Sequence, residues 1–504
     1  MTKLRRRRCL SQRFCVPILT GAFTLGSCTV GPDYQRPQIQ VPDAWHIAVV
    51  EGVTTETAAP GDWWAAFDDP TMVELIALAD QRNFDLRIAT SSIRQARSEY
   101  GIAAANLYPQ LSLEPAAGFS DGNAEPGVGL NNANNNGSDS AYQLTMDLAW
   151  EIDLWGRVRR SMESQEADLA AEIEAWRDIL ITIRAEVAAS YIEVRSYQAQ
   201  IDALEDTIVS YQQTFELVAQ TYARGEANEI ELAATDANLA RLTAQRPPLR
   251  DAINKAINRL SSLIGEYPGG LARQLAVTKP VPRPPANIGV GIPADVIRRR
   301  PDVREAERRL AAASALIGVA EASLYPALQI NGAGGFSSQQ IAGLFDSGQL
   351  GGMVGIDFSW PIFTAGRLEA VVDLRNEQAR QALLALQSTM IDAVADVENA
   401  LSDHLESQLE QAAVNRTEVA YARVMDFTTD RFRRGVDDFG TLLAAERDLL
   451  AARQALAVAD GQVAANAVLL YKALGGGWDV MTEHTAGAQV VDDEEQTLPD
   501  GEQS

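Results

Sequence analysis

Residues 142–153 read Tyr-Gln-Leu-Thr-Met-Asp-Leu-Ala-Trp-Glu-Ile-Asp. Apolar and polar side chains alternate along this stretch, which predicts a β-strand with one apolar and one polar face. The alternation recurs 210 positions later, where Val354 corresponds to Leu144. A single strand of this kind is also typical of a soluble β-sandwich edge, so the surrounding sequence has to decide where it lies. The apolar face comprises Leu144, Met146, Leu148, Trp150, Ile152, Val354, Ile356, Phe358, Trp360 and Ile362.

Three glycine-containing motifs recur at the same offset and show that the chain is a tandem repeat. In both halves, 69 residues separate the first glycine from the second and 40 separate the second from the third. Chance would not preserve two long spacings in both halves. The matched motifs are Gly156-Arg157 with Gly366-Arg367, Arg224-Gly225 with Arg434-Gly435, and Leu263-Ile264-Gly265 with Ala473-Leu474-Gly475.

The N-terminus carries an export signal. Residues 1–27 contain six basic side chains, no acidic one, and an apolar stretch that is too short to span a bilayer, which is typical of a signal peptide. The signal ends in Leu25-Gly26-Ser27-Cys28, which resembles a bacterial lipobox and predicts lipid attachment at Cys28. The alternative is an ordinary secretion signal with an accidental cysteine. Thr29 follows instead of Asp, which favours the outer membrane.

The composition excludes several classes of protein. With 43 basic and 68 acidic side chains, the net charge of −25 argues against binding of nucleic acid. The three cysteines and three histidines are widely scattered, so we expect neither a metal site nor a cofactor. His46 lies in the N-terminal arm, His404 inside a long predicted helix and His484 in the tail, so we expect none of them to have a nucleophile or metal partner. No glycine-rich phosphate loop followed by Lys is present. We therefore expect no enzymatic activity.

Each strand pair is followed by a very long predicted helix. Residues 157–223 and 367–433 contain neither proline nor glycine, and 67 helical residues extend over about 100 Å. Apolar residues from Ile201 to Tyr222 recur at alternating spacings of three and four, which predicts packing in a left-handed coiled coil. The heptads alone are also compatible with a fibrous scaffold.

The rest of the chain connects these elements. We expect returning helices over 229–264 and 439–474, with a kink or a restart of the first at Pro247-Pro248. A proline-rich linker over 266–293 is expected to cross the outside of the helical body. An extended N-terminal arm over 28–70 and an acidic, disordered tail over 481–504 complete the division. The two repeats themselves are assigned to residues 71–265 and 294–480.

Four strands, in hairpins over 107–153 and 324–363, are too few for a membrane barrel. Strands of this length in an exported lipoprotein fit an outer-membrane barrel, with the apolar face toward lipid. Lipid tolerates no free strand edge, and closed membrane barrels start at about eight strands. We therefore expect several copies of the chain to share one barrel. Two copies would give eight strands and a filled interior, whereas three would give twelve.

The sequence resembles a known family. Cys28-Thr-Val-Gly-Pro-Asp-Tyr-Gln-Arg-Pro37 is similar to the start of mature outer-membrane lipoproteins of tripartite efflux pumps, the NodT-like branch of the TolC-like family. Further matching motifs are Trp63-Trp64 with Phe67-Asp68-Asp69-Pro70, Arg298 to Arg304, and Arg433-Arg-Gly-Val436 with Thr441-Leu-Leu443.

The resemblance implies a mainly α-helical fold: a homotrimer with a 12-stranded outer-membrane β-barrel continuous with a coiled-coil tunnel in the periplasm. It also implies that a periplasmic adaptor (membrane fusion protein) and an inner-membrane RND-type transporter are partners. The adaptor would dock at the helical tips around Arg224, Gly225, Arg434 and Gly435. The candidate gate carboxylates, for which solvated helix-start acids are an equally weighted interpretation, are Glu229, Glu231, Asp437 and Asp438.

The predicted function is that of a passive exit duct for drugs or other small solutes, lipid-anchored in the outer membrane of a Gram-negative bacterium. Ala444 stands where the family often has an Asp, so the identity of the gate stays open. A duct for type I protein secretion is an alternative within the same fold. Metal-ion efflux is another. A non-conducting, lipid-anchored coiled-coil scaffold is an alternative from a different class.

Overall fold

A computed structural model describes residues 29–47, 53–54, 61–120, 139–225, 228–434 and 436–478. The signal peptide, Cys28, Gly435, His484 and the acidic tail lie outside these residues. The strands are β1 (Val53–Thr54), β2 (Gln110–Ser120), β3 (Asp139–Ile152), β4 (Ile288–Gly289), β5 (Ala327–Ser338) and β6 (Leu350–Ser359). The α-helices are α1 (Pro70–Arg82), α2 (Phe84–Ala105), α3 (Arg157–Ala223), α4 (Glu229–Leu263), α5 (Ala272–Leu275), α6 (Pro293–Arg299), α7 (Pro301–Ala322), α8 (Arg367–Arg433) and α9 (Phe439–Ala473).

The two 67-residue helices have the bounds that the sequence predicts. Each begins immediately after a glycine in the left-handed region, with φ of 83° at Gly156 and 82° at Gly366. Glycine adopts this conformation without the steric penalty of a β-carbon, so the chain can turn sharply from strand to helix. The same turn at the same offset in both repeats confirms the duplication in three dimensions.

Helix α3 is the central element of the helical body. It packs against α2 and α7 in the half near the strands, and against α4 and α9 toward the tips. The predicted heptad positions Leu204, Ile208, Tyr211 and Val218 are buried, whereas Tyr222 at the end of the seam is exposed. Helix α8 packs against α7 and α9, so the helices of one chain form a continuous layer.

The largest core lies where both repeats and the N-terminal segment meet. Trp63, Trp64 and Phe67 form a short 3₁₀ turn, and the Trp63 ring stacks on Tyr471 with centroids 5.3 Å apart. Residue Tyr191 of α3 is fully buried in the same core and donates a hydrogen bond from its hydroxyl to Asp69 (2.8 Å). The N-terminal segment is therefore part of the folded body.

Equivalent joints close each repeat on itself. The Asn83 side chain donates to the carbonyl oxygen of Leu263 at the end of α4 (2.8 Å). Arg300, 217 positions later, donates from Nη1 to the carbonyl oxygen of Ala473 at the end of α9 (3.0 Å). Both residues stand immediately before a helix, α2 or α7. These bonds satisfy helix-end carbonyls that have no partner within their own helix.

The sequence predicts a kink or a restart at Pro247-Pro248. The restart is wrong, because α4 runs as one helix from Glu229 to Leu263, and the kink stays a prediction. Proline removes hydrogen bonds to the preceding turn and normally breaks a helix. Packing of Leu242 and its neighbours against α3 and α9 flanks the prolines on the tip side, and Ile257 and Leu260 are buried beyond them. Tertiary packing on both sides of the pair accounts for its tolerance.

Two strand predictions extended too far. The partner strands begin at Gln110 and Ala327, directly after Pro109 and Pro326, and not at 107 and 324. Strand β6 ends at Ser359, so Trp360 and Ile362 lie beyond the strand to which we assigned them. Pro361 follows Trp360 and has no N–H group to donate to a neighbouring strand, which ends the ladder.

The linker is less peripheral than predicted. Strands β1 and β4 pair in parallel and thereby attach the arm to the linker. Leu271, Leu275 and Ile288 of the linker are buried in the main core, so the linker does not simply cross the outside. Within the described ranges, none of the helices is long and apolar enough to cross a membrane.

Candidate membrane sheet and helical tips

Strands β2, β3, β5 and β6 form one antiparallel sheet in that order. The register aligns the apolar positions across all four strands, because Leu148 lies opposite both Leu111 and Gly332, and Gly332 lies opposite Val354. Leu144, Met146, Leu148, Trp150 and Ile152 therefore share one face with Val354, Ile356 and Phe358. The sheet has one apolar face shared by all four strands, which the alternation within a single strand predicted only locally.

The opposite face of the sheet is polar. Asp147, Glu151 and Asp357 lie on it, and Asp357 accepts a hydrogen bond from the Asn331 amide of the neighbouring strand. Arg157 at the start of α3 makes two hydrogen bonds to Glu151 (2.8 and 2.6 Å). The basic first turn of the long helix thus pairs with an acidic side chain at the end of the strand.

Paired tryptophans mark the helix-proximal end of the apolar face. The Trp150 indole N–H donates to the carbonyl oxygen of Leu107 (2.9 Å), and the Trp360 indole N–H donates to that of Leu324 (3.2 Å). Indoles with a satisfied N–H and an apolar ring are typical of membrane–water interfaces. The two bonds are equivalent in the two repeats. Trp360 keeps this position although it lies one residue past β6.

The first helical tip contains a tight turn and a capping box. Gly225 has φ of 75° and follows the last turn of α3, with Arg224 as the C-terminal cap. Asn228 caps α4 by accepting from the Glu231 backbone N–H (2.8 Å), and the Glu231 carboxylate accepts from the Asn228 N–H (3.2 Å). This exchange satisfies two amides at the helix start. Glu229 is exposed in the same turn.

At the second tip, both candidate carboxylates accept hydrogen bonds from neighbouring residues. Arg431 donates twice to Asp437 (2.8 and 2.7 Å), which lowers the pKa of this carboxyl group. Asp438 caps α9 by accepting from the Thr441 hydroxyl and backbone N–H (2.7 Å each), and these bonds lower its pKa. Arg434 forms an ion pair with Asp430. In a single chain, three of the four candidate gate carboxylates therefore stabilise helix ends and turns.

Two features of the helical body were not predicted from the sequence. Glu446 of α9 is buried and accepts from the Ser210 hydroxyl of α3 (3.0 Å), while its second oxygen has no partner among the described residues. Burial raises the pKa of Glu446. Next to it, Tyr211 donates to the carbonyl oxygen of Leu443 (3.2 Å), and burial raises the pKa of Tyr211 to about 12. A glutamate on a predicted amphipathic helix gives no sequence signal of burial.

The second missed feature is a clamp on the N-terminal arm. Arg160 in the first turns of α3 is buried and donates to the carbonyl oxygens of Val30 and Gly31 (3.2 Å each) and to Asp33 (2.7 Å). The Val30 N–H in turn donates to the carbonyl oxygen of Trp155 (3.0 Å). The position equivalent to Arg160 in the second repeat is Ala370. This difference between the repeats is the sequence signal that indicates a contact made by the first repeat alone.

The two histidines in the described part of the chain make structural contacts. His404 is fully buried in α8, where burial lowers its pKa, and its Nε2 lies 3.0 Å from the Gln408 amide nitrogen. The backbone N–H of His46 donates to Glu398 (2.5 Å), which attaches the arm to α8. In the part of the chain that the structure describes, no group of three or more His, Cys, Asp or Glu side chains is arranged to hold a metal ion.

A family model described as outer membrane efflux protein matches residues 75–266 and 292–476. The chain belongs to the outer membrane efflux protein family. The two matched segments correspond to the two structural repeats. The family resemblance predicted from the sequence is thereby confirmed, and with it the outer-membrane location and the role as the outer-membrane component of an efflux pump.

Relatives and solved structures agree with this assignment. The toluene efflux pump outer membrane protein TtgF of Pseudomonas putida is 29% identical over 482 residues, covering 93% of this chain and 98% of that protein. Nodulation protein T of Rhizobium leguminosarum bv. trifolii is 28% identical over 472 residues, covering 93% and 98%. The solved outer-membrane channel OprN superposes with a TM-score of 0.81 at 31% identity, covering 90% of this chain and 100% of that one. The predicted fold class is confirmed.

Proposed function

We propose that the chain is the passive exit duct of a tripartite efflux system and works as a homotrimer. The observation that carries this proposal is the four-stranded sheet with one apolar face and two edge strands, β2 and β6, that pair on one side only. Unpaired strand edges are not stable in lipid, so each edge needs a strand from another copy. Three copies supply twelve strands, enough for an open barrel.

Exposed apolar side chains on the helices support the same assembly. Helix α8 has α7 and α9 on one side, and large apolar residues line its remaining surface. Helix α2 shows a similar row at the other end of the layer. Neighbouring copies would cover both rows and close the helical layer into a tunnel. The exposed residues are Leu374, Leu384, Ile391, Leu409, Phe427, Phe84, Ile88 and Ile102.

The experiment is purification in mild detergent followed by mass measurement and recording in planar bilayers. We expect a particle of three copies that conducts ions. A monomeric protein that does not conduct would refute the duct and favour the lipid-anchored scaffold. We further propose that Cys28 carries the lipid anchor, which mass spectrometry of the mature N-terminus tests directly. No enzymatic role forms part of this proposal.

A periplasmic adaptor would dock at the tips around Arg224, Gly225, Arg434 and Gly435, and an RND-type inner-membrane transporter would supply the energy. The support is the position of the two turns at the ends of helices of about 100 Å, far from the sheet. Site-specific crosslinking from residue 224 or 434 to the co-expressed adaptor tests the contact. Crosslinks only to residues near the sheet would contradict it.

Glu231 and Asp438 both carry a negative charge and cap a helix, so a test of the gate has to distinguish the effect of the charge from the effect of the cap. We propose that three copies of Glu231 and Asp438 constrict the entrance and favour cations there. Conductance should rise in Glu231→Ala and Asp438→Ala if the carboxylates obstruct the entrance. Glu231→Gln and Asp438→Asn keep a capping oxygen and remove the charge. A rise in the alanine variants alone would assign the effect to capping, and unchanged conductance in all four would refute the gate.

The cargo is proposed from the chain's relatives. TtgF is named as a toluene efflux protein, and the duct proposed here would pass small hydrophobic solutes or drugs. Deletion of the gene, followed by a panel of drugs, dyes, solvents and metals, tests this proposal. Hypersensitivity to hydrophobic compounds would support it. A phenotype limited to metals, or loss of a secreted protein, would assign the duct to metal efflux or to type I secretion.

A further inference from the structure

The connection between β5 and β6, residues 339–349, is a folded turn at the end of the sheet farthest from the helices. It contains two 3₁₀ turns, Ile341–Gly343 and Ser347–Gln349. Backbone hydrogen bonds within it join Gly343 to Gln340 (3.1 Å) and Asp346 to Gly343 (3.2 Å). Because the turn satisfies part of its own backbone, it holds its side chains in a defined arrangement outside the sheet.

The turn presents apolar side chains where a loop in water would present polar ones. Ile341 is 68% exposed, Phe345 is 67% exposed, and Leu350 at the start of β6 is 63% exposed. Asp346 is the one ionisable residue between positions 338 and 350. Clusters of exposed large apolar residues mark contact surfaces for lipid or protein.

The apolar turn is continuous with the apolar face of the sheet. The rings of Phe345 and Phe336 pack edge to face with centroids 5.3 Å apart. Phe336 pairs with Leu144 and with Leu350 in the sheet register, so it lies on the apolar face at its outer end. Phe345 therefore extends that face beyond the last strand pairs and does not turn toward the polar face.

We infer that residues 341–350 form a lipid anchor that inserts Ile341 and Phe345 into the outer leaflet of the outer membrane. This inference rests on the membrane orientation of the sheet given in the proposed function. The tryptophan pair at the helix-proximal end and the phenylalanine pair at the outer end then form two aromatic boundaries of one apolar band. Aromatic girdles at both interfaces are a general property of membrane barrels.

The position of Phe345 favours lipid over a second copy of the chain. A neighbouring copy would pair with the β6 edge, whereas Phe345 packs on β5, one strand inside that edge. The equivalent connection in the first repeat, Asp121 to Ser138, is rich in Asn and Gly and holds few apolar residues. Each chain therefore has one such anchor, and a trimer has three.

The test uses nitroxide labels on Ile341→Cys and Phe345→Cys in the mature, lipidated protein, whose Cys28 thiol is blocked by its lipid, reconstituted in phosphatidylcholine vesicles. Collision with oxygen reports lipid exposure, and collision with a soluble nickel complex reports water exposure. Phe358→Cys on the apolar face and Asp357→Cys on the polar face are the matched controls. We expect both anchor labels to favour oxygen over nickel, as the Phe358 label does.

Three other outcomes are informative. Anchor labels that behave like the Asp357 label, while the Phe358 label stays lipid-exposed, would overturn the anchor and leave the duct intact. Anchor labels shielded from both reagents would overturn it in favour of contact with another copy. A Phe358 label that is water-exposed would refute the membrane orientation itself, and with it the proposed function.

Discussion

Replacing Arg160 with Met should release the N-terminal arm from the start of α3. The methionine keeps much of the apolar stem that packs against Gly318, and it removes the guanidinium that binds the carbonyl oxygens of Val30 and Gly31. A hydrogen bond from a charged donor contributes about 1.5–3 kcal/mol. At the lower value, two such bonds amount to about 3 kcal/mol, or roughly a 100-fold increase in the open population of the arm.

The bond to Asp33 is left out of this sum. Its carboxylate is 84% exposed, so solvent screens the interaction and a surface ion pair contributes little. The assay is hydrogen exchange at the Val30 amide, which donates to the carbonyl oxygen of Trp155 and exchanges when the arm opens. Arg380→Met, on the exposed surface of α8, is the control because its ion pair with Glu377 is also solvent-exposed.

An exchange rate at Val30 that stays within a few-fold of the wild-type rate would refute the reasoning. The arm would then be held by Tyr34, Ile39 and Val41, which pack against α6, α7 and α8. A second variant checks the same contact sterically. A β-carbon added at Gly318 would lie 2.9 Å from the Val30 carbonyl oxygen, so Gly318→Val should also accelerate exchange.

Three further predictions concern the helical body. Glu446→Gln should raise the melting temperature at pH 8, because the ionised carboxylate is buried and its pKa is raised; the gain should vanish as pH falls through that raised pKa toward the ordinary value of about 4.3. A gain of equal size at pH 8 and at a pH below about 4.3 would contradict this origin. Leu242→Ala should lower the free energy of unfolding by about 2–5 kcal/mol in denaturant titrations, since Leu242 is buried among α3, α4 and α9. Asn83→Ala should lower the free energy of unfolding by about 1–3 kcal/mol, because it removes a helix cap and the bond to Leu263. An unchanged denaturation midpoint would refute the stabilising role of this joint.

The sequence predicts best those elements that depend on local rules. The bounds of α3 and α8 follow from glycines at both ends and from the absence of proline and glycine between them. The faces of the strands follow from a period of two residues. The alternation of Trp360 and Ile362 predicts a longer β6 than the structure has. The strand ends at Ser359 because Pro361 cannot donate a backbone hydrogen bond.

Features that depend on tertiary contacts could not be predicted in this way. The prolines in α4 are tolerated because packing on both sides outweighs the lost hydrogen bonds. The burial of Glu446 depends on which face of α9 meets α3, and a single helix does not reveal this. At the tips, Asp438 and Glu231 follow capping rules that are visible in the sequence, whereas their arrangement around a threefold axis is a property of three chains.

The joints at Leu263 and Ala473 lie at the opposite ends of the returning helices from the tips. Each joint fixes one end of a 35-residue helix to the body, and the other end, about 52 Å away, reaches the tip. A rotation of only about 5° at the joint would displace the tip by about 4–5 Å over that length. Small angular differences at the joints would therefore be amplified at the tips, where Glu231 and Asp438 lie.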